Sequence, residues 1–337
     1  MSFRLTSQFT IGNYQFFGGV KEVEIKRHIK EIADTAVITL PAMGIANNNN
    51  GMPPNSIATS TLFQPGDPVT IMLGYNYKNV QEFKGFVRRV DVSIPVKIEC
   101  EGYAWKLRNT SLVGSWPSIT LTALLTQLVA GTGIKLSSSI PGITLTNIKF
   151  PNINGLKVLE YLKDKALLSA YFVFDTLYVG LEAALPGGTG AAGSTLPVPI
   201  HELGWNTMRD DKLKWRTVGD TSVQIRVVSA KGKNAKTPLY TYGQAGGSVI
   251  TEHLSWVSDP VWIQKLAQDN YNRASYTGYE GSIMGFLQPY IQMCDTATLQ
   301  DPMYKVRQGK YFTQGTTVKF GVSGATREVF LGQELSV

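Results

Sequence analysis

The sequence predicts a mainly β protein with a smaller α/β module in its middle. Short segments in which apolar and polar residues alternate fill residues 1–105, and similar segments return in the last third of the chain. Between them, the spacing of apolar residues changes to that of helices. A strand-opening phrase also occurs twice, as Gly-Asp-Pro-Val-Thr-Ile at 66–71 and as Cys-Asp-Thr-Ala-Thr-Leu at 294–299.

The repeated phrase joins a turn to alternating apolar residues, which is typical of a strand that begins at a turn. A Gln-Pro pair precedes each copy by a few residues, at 64–65 and at 288–289. We interpret the repeat as structural. Its residues are Gly66, Asp67, Val69 and Ile71 in the first copy, and Cys294, Asp295, Ala297 and Leu299 in the second.

The first part of the chain predicts a barrel or a sandwich. Its strand-like segments are short and are separated by Gly, Asn and Pro. They lie at 20–29, 34–42, 66–74, 82–93 and 96–105. Residues 43–61 interrupt them with a polar loop that contains four consecutive asparagines. We expect a disordered loop tip there, with a partner-binding loop as the alternative.

The middle of the chain predicts two helices and a hairpin. Thr120 is the expected N-cap of the first helix and Gly131 its end, and Asn154 is the expected N-cap of the second. Each helix has an apolar stripe: Leu121, Leu124, Leu125 and Leu128 in the first, and Val158, Leu159, Leu162 and Ala166 in the second. Residues 171–181 predict a hairpin that turns at Asp175-Thr176.

A segment rich in Pro, Gly and small residues follows the module and predicts a linker. It contains Gly188, Gly190 and Gly193 in the spacing of a dinucleotide-binding loop. Such a loop must open a helix that meets the phosphates, whereas here Pro197 and Pro199 follow. We therefore expect a connector and not a nucleotide site.

The last third returns to strands and contains one predicted helix. Strand-like segments lie at 212–220, 222–232, 238–244 and 248–256 before the helix, and more follow it. Ser258 or Asp259 is the expected N-cap, with Pro260 in the first turn. Ile263, Leu266, Ala267, Tyr271 and Ala274 form its expected inner face, and Gly278 its end.

Composition limits the classes of function. The chain has 337 residues and a formal net charge of +7, but its basic residues are scattered, which indicates a solvated surface more than a nucleic-acid site. Its two cysteines exclude a disulfide framework and fit a reducing compartment. We find no signal-peptide pattern and no apolar run long enough to span a membrane.

No catalytic signature is apparent. The segment 201–205, His-Glu-Leu-Gly-Trp, begins like a zinc-protease motif but lacks its second histidine. The other histidines, His28 and His253, stand apart from it, and we assign all three to structural roles. Nucleophile-elbow, Walker A and calcium-loop motifs do not occur. We therefore predict no enzyme activity, no cofactor and no metal.

The order of these segments resembles the baseplate hub proteins of phage tails, the late-control protein D type, and the N-terminal part of type VI secretion spike proteins. The resemblance is carried by 34–42, 64–74, 82–91 and 98–109, by the middle segment 154–181, and by 258–275 and 287–301. It covers nearly the whole chain and rests on pattern and order more than on single motifs.

The resemblance implies two similar β-barrels with an α/β module between them. The expected domains are a first barrel at 1–105, the module at 106–184, a linker at 185–204, and a second barrel at 205–337 with an inserted helix at about 258–277. The repeated phrase is then the same strand of a duplicated barrel. Cys294 replaces Gly66, so we expect the second turn to avoid a positive φ.

The resemblance also implies a function. We expect a homotrimeric adaptor between a hexameric tail tube and a separate trimeric spike, beside other baseplate proteins, in the tail of a virion assembled in the host cytoplasm. DNA would only pass through its channel, whose wall should lack a broad basic lining. The alternatives are a cell-wall-degrading enzyme of the tail tip and a glycan-binding protein.

Overall fold

The computed structural model describes residues 4–46, 55–182, 198–209, 212–218, 222–229 and 238–335, and structural statements below refer to these. Most of the predicted Asn-rich loop tip and of the predicted linker, including its three glycines, lies outside them. Within the described residues, the helices are too short and too polar to cross a membrane.

The N-terminal part is built of strands. They are β1 (Leu5–Ile11), β2 (Tyr14–Phe16), β3 (Glu22–His28), β4 (Thr35–Leu40), β5 (Met43–Ala46), β6 (Asn55–Ala58), β7 (Pro68–Tyr75), β8 (Lys78–Asp91) and β9 (Val96–Glu101). In β3, Val23 and Ile25 are buried while Lys26 is exposed, because successive side chains of a strand point to opposite faces.

The middle part alternates helices and strands. Its elements are α1 (Ala104–Arg108), β10 (Ser111–Thr120), α2 (Leu121–Val129), β11 (Lys135–Leu136), β12 (Thr144–Asn154), α3 (Gly155–Ala166), β13 (Ser169–Val173) and β14 (Thr176–Gly180). The predicted caps are confirmed: the Thr120 side chain accepts a hydrogen bond from Ala123 N–H, and the Asn154 side chain from Lys157 N–H.

The C-terminal part is again mostly strands. They are β15 (Ile200–Glu202), β16 (Thr207–Arg209), β17 (Lys214–Arg216), β18 (Val223–Ser229), β19 (Pro238–Gly243), β20 (Ser248–Leu254), β21 (Gly278–Gly285), β22 (Thr296–Gln300), β23 (Gly309–Gly321) and β24 (Gly324–Glu334), with helix α4 (Pro260–Ala274) before β21. Asp259, and not Ser258, caps α4.

Fourteen of the strands form one sheet. We call β1–β4 and β7–β9 the N-terminal half-sheet, and β15–β17 and β21–β24 the C-terminal half-sheet. The two join where β23 pairs antiparallel with β3. Each half-sheet has its own apolar core, one centred on Phe9, Ile38 and Phe83, the other on Ile291, Leu299 and Tyr311. The predicted mainly β architecture with an α/β insertion is confirmed.

Strands β18–β20 lie outside the large sheet. They form a separate three-stranded sheet, and their buried side chains pack in the same core as α2 and α3. Trp262 and Leu266 of α4 also belong to that core. The module's core thus includes residues from both sides of the expected linker, while the expected domain boundaries remain a prediction.

Candidate functional site

The residues of the repeated phrase lie at matching places in the two half-sheets. Gly66 and Asp67 form a turn before β7, and Val69 and Ile71 are buried in the N-terminal core. Cys294 and Asp295 form a turn before β22, and Ala297 and Leu299 are buried in the C-terminal core. The two groups lie in different cores, so they make two sites of one kind and not one composite site.

The first turn is closed by its aspartate. Asp67 accepts a hydrogen bond from Gln64 N–H at its Oδ2 atom, over 2.8 Å, and donates its own N–H to the Gln64 carbonyl, over 3.1 Å. Gly66 N–H donates to the Val87 carbonyl over 2.8 Å, and Val87 N–H donates to the Asp67 carbonyl over 2.8 Å. These bonds fix the start of β7 against β8.

The second turn repeats every one of these bonds. Asp295 accepts from Gln292 N–H at Oδ2, over 2.8 Å, and donates to the Gln292 carbonyl, over 3.2 Å. Cys294 N–H donates to the Thr313 carbonyl over 2.9 Å, and Thr313 N–H to the Asp295 carbonyl over 2.9 Å. Gln292 is therefore the counterpart of Gln64. The sequence comparison pointed to Gln288 instead, because only that glutamine precedes a proline.

The expectation that Cys294 avoids a positive φ is wrong. Its φ is 73°, and that of Gly66 is 96°. The left-handed conformation is imposed because the N–H of this residue must reach the neighbouring strand while the aspartate closes the turn. Cys294 is 2% exposed in a small cluster with Tyr171, and its burial offsets the strain, whereas a Cβ at Gly66 would lie 3.3 Å from the Trp105 ring. Burial also raises the pKa of Cys294 to about 12.

The strands that follow the two turns carry the same irregularity. The pairing of β8 with β9 shifts by one residue between Val87 and Arg89. The pairing of β23 with β24 shifts between Thr313 and Gly315, which are the counterparts of those two residues. A bulge at the same place in both half-sheets bends both strands in the same way. Sequence reasoning missed this, since Arg88 and Gln314 have no feature in common that marks a bulge.

The joint between the half-sheets is a strand pair of seven residues on each side. It runs from Gly315 opposite His28 to Gly321 opposite Glu22. The strands approach so closely that a Cβ at Gly315 would lie 2.5 Å from the Arg27 carbonyl oxygen. Arg27 itself is buried, and its Nε donates to Asp34 over 3.1 Å. Burial raises the pKa of Asp34, and the charge of Arg27 opposes part of that rise.

A second buried ion pair, between Arg327 and Glu82, links the two half-sheets. The Nη1 atom of Arg327 donates to Glu82 over 3.2 Å and to the Ile291 carbonyl over 2.9 Å, and both charged side chains are at most 2% exposed. Tyr290 packs over the guanidinium and donates its hydroxyl to the Gln81 carbonyl. These contacts link β8, β24 and the segment before β22.

His201 is also buried in the C-terminal half-sheet. Burial, together with the positive charge of Arg327, lowers the pKa of His201 to about 4, so the ring is neutral at physiological pH. The structural role expected for this histidine is consistent with its 3% exposure. Within the described residues, no three His, Cys, Asp or Glu side chains gather as metal ligands.

The outward face of the large sheet is charged, and its charges are paired across strands. Lys319 on β23 contacts Glu24 on β3, and Arg89 on β8 contacts Glu99 on β9. In the C-terminal half-sheet, Lys212 contacts Glu328 on β24, and Arg216 on β17 contacts Glu280 on β21. Arg108 on α1 contacts Glu101 on β9. Several cations of the sheet therefore have a carboxylate within reach, which lowers their attraction for a passing polyanion.

No protein-family model and no curated protein matches the chain, but solved structures do. The chain is similar to a tail protein from Neisseria meningitidis MC58, with a TM-score of 0.67 and 13% identity over 98% of this chain and 96% of that one. It is similar to the 43 kDa tail protein of prophage MuSo2 from Shewanella oneidensis, with a TM-score of 0.60 and 12% identity over 97% of each chain.

A third similar structure is an Escherichia coli component of the type VI secretion system. Its TM-score is 0.55 at 9% identity, and the match covers 97% of this chain and 77% of that one. At these identities the likeness concerns the fold. The fold is therefore that of tail and spike-related proteins, and the resemblance predicted from the sequence is confirmed at this level.

Proposed function

We propose that this chain is the structural hub of a phage tail or of a related contractile injection machine. The single observation that carries the proposal is the match of the fold, from end to end, to two tail proteins. The charges paired across strands on the outward sheet face agree with a structural part.

The hub is proposed to be a homotrimer that joins a hexameric tail tube to a trimeric spike. The matching turns, bulges and strand registers support a duplicated barrel, which would give three chains six near-equivalent faces. The chain is also similar, with a TM-score of 0.53 and 9% identity, to a chain of a PdpA–VgrG complex, which agrees with a part that works within an assembly. The spike is proposed to be a separate protein, and the site of action the tail baseplate of a virion assembled in the host cytoplasm.

The proposal is tested by reconstruction of the assembled particle. We expect three copies of this chain between tube and spike, with the two half-sheets superposable and a channel open for DNA. One or six copies per particle, or half-sheets that do not superpose, would contradict it. A pull-down with the full-length chain provides a second test, because a hub must retain both the tube protein and the spike.

The alternative is a cell-wall-degrading or glycan-binding protein of the tail tip. The discriminating measurement is zymography of the purified full-length chain on peptidoglycan. We expect no clearing, since the sequence contains no recognised catalytic motif. A clearing band would replace the structural proposal with an enzymatic one.

A further inference from the structure

The joint between the half-sheets provides a template for a contact between two copies of the chain. The paired residues of one half-sheet can be aligned with the paired residues of the other. Ile38 pairs with Ile98 as Ile283 pairs with Val329. β4 therefore corresponds to β21, and β9 to β24.

The same comparison equates β3 with β17. Lys26 of β3 pairs with Thr35 of β4. Lys214 of β17 pairs with Glu280 of β21. Thr35 and Glu280 each stand three residues before the matched isoleucine of their strands, so Lys26 and Lys214 occupy the same position. Asp91 likewise corresponds to Thr317, since their partners in β9 and β24, Lys97 and Glu328, are equivalent.

The pair of β23 with β3 has an equivalent in the pair of β8 with β17. The first pair forms within the chain, and the second is absent from the described residues. β23 pairs with β3, and in that joint Thr317 lies opposite Lys26. The corresponding strands, β8 and β17, do not pair with each other among the described residues. β8 pairs with β7 only as far as Phe86, and along Arg89–Asp91 that edge has no strand partner in the described part of the chain. At Lys214, β17 has β21 as its described partner, on one side.

Exposed apolar side chains lie at the tips of the two equivalent hairpins. At the hairpin tip after β8, Val92 and Ile94 are 81% and 89% exposed. Val322, at the tip of the equivalent hairpin after β23, borders a cleft of about 630 Å³ together with Phe17 and Tyr77, and the three side chains keep exposures of 82%, 71% and 72%.

The C-terminal half-sheet has exposed apolar side chains at the equivalent places. Trp205 stands nine residues before Lys214, as Phe17 stands nine residues before Lys26, and it is 81% exposed. Met303 lies between β22 and β23, as Tyr77 lies between β7 and β8, and it is 78% exposed. The chain thus presents an exposed apolar hairpin tip after β8 and two exposed apolar side chains in the C-terminal half-sheet, at the places equivalent to Phe17 and Tyr77. Unpaired edges of this kind recruit other chains.

We propose that β8 of one copy pairs with β17 of a second copy, in the register of the β23–β3 joint, so that Asp91 lies opposite Lys214 of the partner copy. The opposite charges of Asp91 and Lys214 favour this register, and Asp91 also contacts Arg89 of its own chain over 3.0 Å. Arg89 takes the place of Gly315 and lies opposite Arg216 of the partner copy, so the strands must separate there, and the pairing is confined to Val90 and Asp91. Val92 and Ile94 of the first copy then cover the surface around Trp205 and Met303 of the second. The contact is head to tail, and repetition generates a ring if it closes. The inference rests on the proposed hub function for the number of copies, but not for the pairing itself.

The test is cysteine cross-linking of full-length chains. Opposite residues of an antiparallel pair have Cβ atoms about 4.5–5.5 Å apart, which is close enough for oxidation to join them. The Asp91→Cys and Lys214→Cys variants are purified separately, mixed over a concentration series and oxidised. The natural cysteines, Cys100 and Cys294, are each 2% exposed and give little background. The Lys26→Cys/Thr317→Cys variant is the matched control, which should close within one chain.

We expect a shift to linked pairs of chains in the mixture, and no such shift for either single variant alone. A mixture that stays unlinked over the whole series, while the control closes, would overturn the proposed pairing. The Asp91→Cys/Lys214→Cys double variant separates this result from the hub proposal. Covalent species that stop at three chains support both proposals, whereas a ladder that continues further supports the pairing and contradicts the trimer.

Discussion

Arg327 and Glu82 are separated by 245 residues in the chain and form a buried ion pair that ties β24 to β8. The guanidinium also donates to the Ile291 carbonyl, so the pair fixes the segment that leads to the second turn. Neither side chain is more than 2% exposed. The pair therefore contributes to the position of one half-sheet relative to the other.

Removing one partner of this pair should be strongly destabilising. Glu82→Leu leaves Arg327 charged and buried, and we expect a loss of about 3–5 kcal/mol in the free energy of unfolding. The Glu82→Leu/Arg327→Met variant should lose less, because no charge is left unpaired. Urea denaturation provides the measurement. The exposed Arg89 serves as a control, since Arg89→Met should cost at most about 1 kcal/mol.

The turn before β7 should require glycine. Gly66→Ala places a Cβ 3.3 Å from the Trp105 ring at a φ of 96°, and we expect a loss of about 1–2 kcal/mol in the free energy of unfolding. Gly142 is the matched control, because no atom lies within 4 Å of its added Cβ and its φ is not positive. Equal stability of the Gly66→Ala and Gly142→Ala variants would show that the turn is not strained.

His201 should make the protein less stable in acid. Its pKa is about 4 in the folded chain and near 6.5 when unfolded, so between these values the unfolded chain binds more protons. The contribution of a neutral His201 is therefore complete above pH 6.5 and is lost as the pH falls towards 4, by up to about 3 kcal/mol.

Comparison of variants isolates this contribution. The stability of wild type and of the His201→Gln variant is measured from pH 7 to pH 4, and we expect a flatter profile for the variant. Asp34, whose pKa is raised, acts in the opposite direction but is common to both proteins. The exposed His253 is the control: His253→Gln should keep the wild-type slope. Parallel profiles for all three proteins would rule out the assignment.

The Asn-rich loop should be dispensable for folding. Its ends are already held together by the antiparallel pair of β5 with β6, from Met43 opposite Ala58 to Ala46 opposite Asn55. Replacement of residues 47–55 by a short Gly-Ser link changes the closure entropy only slightly, so we expect the melting temperature to stay within a few degrees. A drop of ten degrees or more would show that the loop packs against the fold.

Local chemistry made the helices predictable from the sequence. Thr120, Asn154 and Asp259 lie at helix starts because their side chains accept the first free N–H groups, which requires nothing from distant residues. The turns at Gly66 and Cys294 were also located correctly. The conformation of Cys294 was not, because its φ depends on the Thr313 carbonyl of another strand.

Long-range contacts could not be predicted. Strands β18–β20 alternate like barrel strands, yet Ile225 and Leu254 pack with the helices of the module, because a period of two identifies a half-buried strand and not the core that buries it. The ion pair of Arg327 with Glu82 and the β23–β3 joint had no local signal either. The strand edges at Asp91 and Lys214, which have no partner on that side among the described residues, follow only from the registers.

The β23–β3 joint has a consequence for how the chain is made. β3 emerges from the ribosome early, but one of its edges is completed by residues 315–321, near the end of synthesis. During most of translation, the nascent N-terminal part therefore carries an unprotected strand of alternating Val23 and Ile25. Fragments that end before β23 should therefore aggregate on expression, whereas the full-length chain covers this edge of β3 with β23.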